Sequence, residues 1–254
     1  MPVDAQFFAA IVAGYATACM AWLAAARWIP GFPPDEPPQD QPNRPWLDIF
    51  IAVLVVAGIF ALGQAYRAGW LLPESSRRWN PLIFNLNALI WYLPLFVGLL
   101  ARRQPTSTIY LRPAGLHKKI FAGVAIAAAS VAAYLAVMGQ LPNYGQVLQG
   151  TFERRSLQHA LPVFLEGAVI AYVFVRLRWL GGTWLAILLP SLLFAAAHIP
   201  RGLAAGQSIA HIAAYFALTG GITVIVLLTL IRSRDIVWLG IVHYVMDVAI
   251  GAFD

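Results

Sequence analysis

Apolar stretches near 20 residues recur along the whole chain, and that repetition limits the folds open to it. They run near Phe7–Ala26, Trp46–Ala65, Leu82–Leu100, Ile120–Met138, Ala160–Val175, Thr183–Ala197, Ile209–Ile231 and Ile236–Phe253. About 20 such residues let an α-helix cross roughly 30 Å of hydrocarbon. No segment alternates as a barrel strand would, so helices must satisfy the buried backbone. Hydrophobic residues make up 60% of the 254 and charged residues only 11%, against roughly 25% charged in a soluble domain. The mean hydropathy of +0.71 agrees. The expected fold is therefore an all-α integral membrane protein, with about eight transmembrane helices in a single bundle. Gly220-Gly221 makes the seventh helix the one most open to a kink.

The net charge of +6 does not point to nucleic acid. Basic residues cluster between apolar segments, as Arg102-Arg103, Lys118-Lys119, Arg154-Arg155 and Arg232/Arg234. Such loops suit anionic lipid headgroups, and no basic face carries base-stacking aromatics. Membrane lipids are the expected partners, and nucleic acid is not. Cys19 is alone, which excludes a disulfide framework or a cysteine-rich metal site. The opening Met-Pro-Val-Asp-Ala-Gln lacks a positive n-region, so the first segment is expected to be a retained helix.

The connection Pro30–Pro45 is rich in proline and acid and reads as an exposed, extended loop. Gly139–Gln158 is polar enough for a loop or a surface-lying helix, with Glu153, Arg154 and Arg155 at the interface. No internal repeat is visible. Residues 1–158 read as N-terminal helices and loops of the same integral domain as the motif-bearing 159–254. Of the lysines and arginines, Arg27, Arg44, Arg102, Arg103, Arg112, Lys118, Lys119, Arg176, Arg178, Arg232 and Arg234 fall on one set of alternate loops. Arg67, Arg77, Arg78, Arg154, Arg155 and Arg201 fall on the other. An even helix count and this bias place both termini outside the cytoplasm.

Chemistry concentrates in the last third. Among eleven acidic residues, only Glu166 and Asp247 sit deep inside long apolar segments. An ionisable group at membrane depth costs at least ~2.5–3.5 kcal/mol, so it usually has a partner and a task. Asp247 follows His243 at i,i+4 on one helix face, where a carboxylate can orient an imidazole, or both can face a metal or a water. The plainer reading is a polar pair tying helices together. His198 ends Phe194-Ala-Ala-Ala-His198 near a helix end. A buried carboxylate such as Glu166 serves as a general base, or simply bonds a neighbouring group. One Glu, two His and one Asp on three apolar helices are what water activation and oxyanion stabilisation require. His211, His159 and His117 read as cap, headgroup and basic-loop residues. Asn85 and Asn87, two apart, read as interhelical hydrogen-bonding groups.

These residues resemble the CPBP (CAAX-protease and bacteriocin-processing, or Abi) intramembrane proteases, over roughly Ala160 to Phe253. The family's second motif, Phe-x-x-x-His, is matched by Phe194–His198. Its third, His-x-x-x-Asn or Asp, is matched by His243–Asp247. The first, Glu-Glu-x-x-x-Arg, is degenerate. In one register Glu166 is the second Glu, with Leu165 before it and Ile170 in the Arg position. In the other Glu166 is the first Glu, with Gly167 and Ala171 in the remaining places. Either way a carboxylate and the arginine are missing, and the family's first Glu is the one credited with activating water.

The resemblance implies an intramembrane endopeptidase, cleaving a peptide or membrane-protein substrate with Glu166, His198, His243 and Asp247 as the site. Two His and a carboxylate serve either a metal-free scheme, with no cofactor certain, or a divalent metal such as zinc, with His198 and His243 as ligands. The expected location is a bacterial-type cytoplasmic (inner) membrane, crossed several times. The alternative is a catalytically inactive relative, a pseudoprotease acting as a binding or bacteriocin self-immunity protein. A proton-coupled transporter using Glu166 and Asp247 is a third class, disfavoured by the lack of internal symmetry.

Overall fold

The structure is a computed structural model that describes residues 5–29, 32, 44–70 and 81–251. Most of the proline-rich connection expected as a loop lies outside the described residues, as does the end of the last expected helix. Eleven α-helices are described: α1 Ala5–Trp28, α2 Pro45–Arg67, α3 Pro81–Trp91, α4 Leu93–Ala101, α5 Leu116–Val137, α6 Tyr144–Gly150, α7 Arg154–Leu157, α8 Ala160–Ala197, α9 Ile199–Ala204, α10 Ile209–Ser233 and α11 Val237–Gly251. No strand occurs among the described residues, as the sequence pattern requires.

A helical membrane bundle is borne out, while the expected count of eight spans is not confirmed. Among the described residues five helices are long and apolar enough to cross a membrane, or six if one bent pair counts as a single span. That pair is α3 and α4, read from sequence as one helix but bent by 48° where Tyr92 interrupts it. Pro94 stands at the start of α4, where it cannot continue a helix from before. The expected fifth and sixth helices belong to one 38-residue run, α8. The described part of the last helix has 15 residues, fewer than the ~20 a full crossing needs. Gly220-Gly221, expected as a weak point, lies inside an uninterrupted α10.

α8 reverses direction part-way. Gly182 has φ 77° and ψ −173°, a conformation essentially reserved for glycine. A straight helix would separate Glu166 from His198 by about 48 Å at 1.5 Å per residue, yet both line one cavity. The run is therefore two antiparallel arms joined at the glycine.

Hydrogen bonds and ring contacts sort the helix ends into two faces. On one, Gln6 Nε2 donates to the Val137 carbonyl at 2.9 Å and Phe8 meets His211 with ring centroids 6.0 Å apart. Asn85 Nδ2 donates to the Leu157 carbonyl at 2.9 Å, and Tyr244 donates to the Thr151 carbonyl. The start of α1, the end of α5, α6, α7, the start of α8 and the start of α10 thus share this face. On the other face, Arg102 Nε pairs with buried Asp48 at 2.9 Å, and Gln104 Nε2 donates to the same carboxylate oxygen at 3.1 Å. Arg176, fully buried, donates to Gln104 and, at 3.1 Å, to the Thr108 carbonyl, with its guanidinium 3.5 Å over the Tyr172 ring. Lys119 and Asp235, both buried, lie 3.9 Å apart, and Ile236 N bonds the Tyr110 carbonyl at 3.1 Å. Charges in low dielectric need partners, and each of these has an ion-pair or hydrogen-bond contact.

Between the faces the helices pack closely through small residues, as membrane helices do. Ser130 Oγ donates to the Gly14 carbonyl at 2.7 Å, bringing α1 onto α5. A Cβ on Gly123 would stand 3.0 Å from Trp238 Cα, so only glycine permits the approach of α5 to α11. Large apolar side chains such as Phe50, Leu100, Phe121 and Trp184 point outward, exposed where lipid tails would lie.

Candidate active site

Glu166 stands six residues into α8, about 9 Å along the helix from its start. That start is fixed by Asn85 of α3. Its Oδ1 accepts from Leu161 N at 3.1 Å while its Nδ2 holds the Leu157 carbonyl. Leu161 N is one of the helix-start donors that lack an intrahelical partner, so Asn85 caps α8 from a neighbouring helix. The other arm of α8 ends at His198. There the ring's Nδ1 lies 2.8 Å from the Phe194 carbonyl oxygen, which can only accept. Nδ1 therefore carries the proton, and Nε2 is left for the cavity.

Phe194 stands between the two histidines. Its ring centroid is 4.8 Å from His198 and 6.3 Å from His243, edge-on to both. On α11, His243 Nε2 is 3.7 Å from Asp247 Oδ1. That is ion-pair range but too long for a hydrogen bond. The Asp247 side chain is 45% exposed and that of His243 16%, and both line the cavity.

The cavity has a volume of about 900 Å³, and Glu166, His198, His243 and Asp247 all face it. The Glu166 carboxyl interacts electrostatically with His243, Asp247 and His198. Four groups from three sequence segments thus meet. At the rim, Asn143, Gln146, Glu153, Arg155, Gln158 and His159 give the opening a polar lining. Arg155 Nε pairs with Glu153 at 2.8 Å among exposed side chains.

The degenerate first motif has a visible geometry. Glu166, Gly167 and Ile170 line the cavity, whereas Leu165 and Ala171 do not and are buried. A Cβ built on Gly167 meets nothing within 4 Å. Ala171 is fully buried within the packing around Tyr172 and Phe174.

Other expected side chains fall elsewhere. His159 reaches the rim, and His211 lies against Phe8 outside the cavity lining. His117 is exposed at the start of α5, beside the buried Lys119 of the opposite face. Asn87 Nδ2 reaches the Tyr66 hydroxyl at 3.4 Å.

Sequence reasoning missed Tyr15 of α1 and Tyr215 of α10. Both line the cavity, and the Tyr215 ring is 6.0 Å from that of His198. The Tyr15 phenol interacts electrostatically with Asp247, Tyr215 and Glu166. The one available signal was a lone tyrosine within the apolar run AAIVAGYATACMAW, which by itself reads as packing.

Among the described residues no three His, Cys, Asp or Glu side chains are placed to hold an ion together.

The cavity carries both histidine motifs and the carboxylate on helices of one segment, and that segment has known counterparts. Residues 162–249 match the family described as Rce1-like, type II CAAX prenyl endopeptidase. The match spans about a third of the chain and contains Glu166, Phe194, His198, His243 and Asp247. It agrees with the resemblance to CAAX proteases carried by the motifs. No curated protein and no solved structure matches the chain. The Rce1-like segment supplies α8, α9, α10 and most of α11. Helices α1 and α5 pack against α11 from outside it, and Tyr15 of α1 reaches the cavity. A multi-pass membrane protein with a protease-family segment is the coarse identity these observations support.

Proposed function

We propose that this chain is an intramembrane endopeptidase in which Glu166 activates water within the cavity it shares with His198 and His243. The observation that carries the reading is the convergence of Glu166, His198, His243 and Asp247 on one cavity from three segments. Glu166 takes the register of the first motif's first Glu, because it faces the cavity while Leu165 is packed away from it.

In this mechanism Glu166 accepts a proton from water as the oxygen adds to the scissile carbonyl carbon. His198, held by its Nδ1–H on the Phe194 carbonyl, offers Nε2 to the developing oxyanion when the ring is cationic. His243, with Asp247 alongside, orients the water. Collapse of the tetrahedral intermediate breaks the C–N bond, and the proton held by Glu166 passes to the leaving amine. A positioned proton-transfer group contributes ~10²–10⁴-fold in rate, and an oxyanion donor ~10²–10³-fold.

No step is routed through a metal, so a chelator should leave cleavage intact. Its substrate is a peptide or membrane-protein segment reaching the cavity from the lipid environment, in a bacterial-type inner membrane. Glu166→Gln, His198→Ala and His243→Ala should each lower cleavage of a membrane-embedded reporter by at least about 10²-fold. Wild-type cleavage by all three would sink the proposal.

A pseudoprotease remains the second reading, favoured by one observation: the core has closed over Ala171, leaving no room for the motif's arginine. It expects a binding or immunity phenotype that survives Glu166→Gln.

A further inference from the structure

The faces of the bundle and the positions of its basic residues together fix the side from which the cavity is reached. The cavity is lined by α6, by the segment from Glu153 to His159, by the first arm of α8 and by His198 at the end of its second arm. All of these belong to the face where Gln6 meets Val137, Asn85 meets Leu157 and Phe8 meets His211. The cavity therefore opens on that face.

The described lysines and arginines divide unequally between the two faces. Arg102, Lys119 and Arg176 lie on the opposite face by direct contact, through Asp48, Asp235 and the Thr108 carbonyl. Arg103, Arg112, Lys118, Arg178, Arg232 and Arg234 adjoin the same helix ends, and Arg27 and Arg44 end α1 and begin α2 there. That face holds eleven. Among the described residues the cavity face has four: Arg154, Arg155 and Arg201 in α7 and α9, and Arg67 ending α2. Lys and Arg in short loops stay on the cytoplasmic side during insertion.

We infer that the cavity opens away from the cytoplasm and takes its peptide from that side, as a segment of an exported or membrane-anchored protein. A prenylated protein made and modified in the cytosol would meet the wrong face. This rests on the endopeptidase reading only for what happens to the peptide; the orientation stands on geometry and charge.

The test starts from Cys19→Ala, which removes the single, buried thiol. Phe152→Cys then marks the cavity face and His117→Cys the opposite one; both residues are exposed. A membrane-impermeant maleimide should label the Phe152→Cys protein in intact cells and the His117→Cys protein only after permeabilisation. The reverse pattern, or equal labelling of both in intact cells, overturns the inference. A C-terminal reporter enzyme active only outside the cytoplasm supplies a second readout on the unaltered chain, since α11 ends on the cavity face; an inactive but intact fusion overturns it too. Two cleavage reporters complete the test, one presenting its scissile segment on each side. Cleavage of the outer one alone is expected, and cleavage of the cytoplasmic one overturns the assignment of substrate. Correct labelling with neither reporter cut would uphold the orientation and remove the endopeptidase reading instead.

Discussion

Glu166 faces the cavity with an empty place beside it and a filled one a turn further on, and the two places behave differently under substitution. Gly167 lines the cavity, and a side chain there meets no neighbour. Gly167→Glu should therefore fold like the parent and raise turnover, by less than the ~10²-fold that one positioned proton-transfer group contributes. Ala171→Arg forces a guanidinium into a fully buried site and should destabilise the protein by at least roughly 3 kcal/mol. Thermal unfolding in detergent, read beside a cleavage assay, checks both; a destabilised Gly167→Glu protein would show that the cavity is closed there. The four polar residues were legible in the sequence because each interrupts an apolar run, where ionisable groups are rare. Tyr15 was not, because a tyrosine in a membrane helix packs as readily as it reacts, and its partners are more than a hundred residues away. The register of Glu166 was also illegible, because neighbouring positions on a helix differ by about 100° and only packing shows which one faces the cavity.

At the scale of elements, one reversal and one cap do most to bring the site together. The glycine at 182 turns α8 back on itself, so the helix that carries Glu166 also carries His198. Apolar length suggests two helices here; that they form one run was not legible, since no capping signal distinguishes a sharp kink from a loop. Asn85 sets the start of the first arm from a neighbouring helix. Asn85→Ala removes a cap contact and should lower stability by about 1 kcal/mol. It should also reduce cleavage, because Glu166 lies within two turns of the freed end. Unfolding midpoints and initial rates measure the two effects; unchanged values for both would show that the cap is redundant. The bend between α3 and α4 follows from Pro94, whose effect on a preceding helix is local and could be read in advance. How far the bend shortens the span depends on packing that hydropathy does not report.

Across the whole molecule, charge and chemistry are segregated to opposite faces. Arg176, Gln104, Asp48 and Arg102 form one buried polar group on the side away from the cavity, with Lys119 and Asp235 close to the same face. Removing one member of such a group leaves others desolvated and unpaired, typically at ~3–5 kcal/mol. Arg176→Ala should therefore lower the unfolding midpoint sharply while the folded fraction still cleaves at the parental rate, since Arg176 is ten residues beyond Glu166 on the same helix. A rate loss in the folded fraction would mean that the two faces are mechanically linked. The all-helical membrane class was legible from apolar length alone. The order of assembly follows from where the four groups lie along the chain. Synthesis proceeds from the N-terminus, and earlier segments are placed before later ones emerge. Glu166 and His198 are present once α8 has folded back, but His243 and Asp247 arrive only with α11, the last described helix. A nascent chain halted between α10 and α11 holds only two of the four cavity groups, and the cavity is completed when α11 packs beside α5.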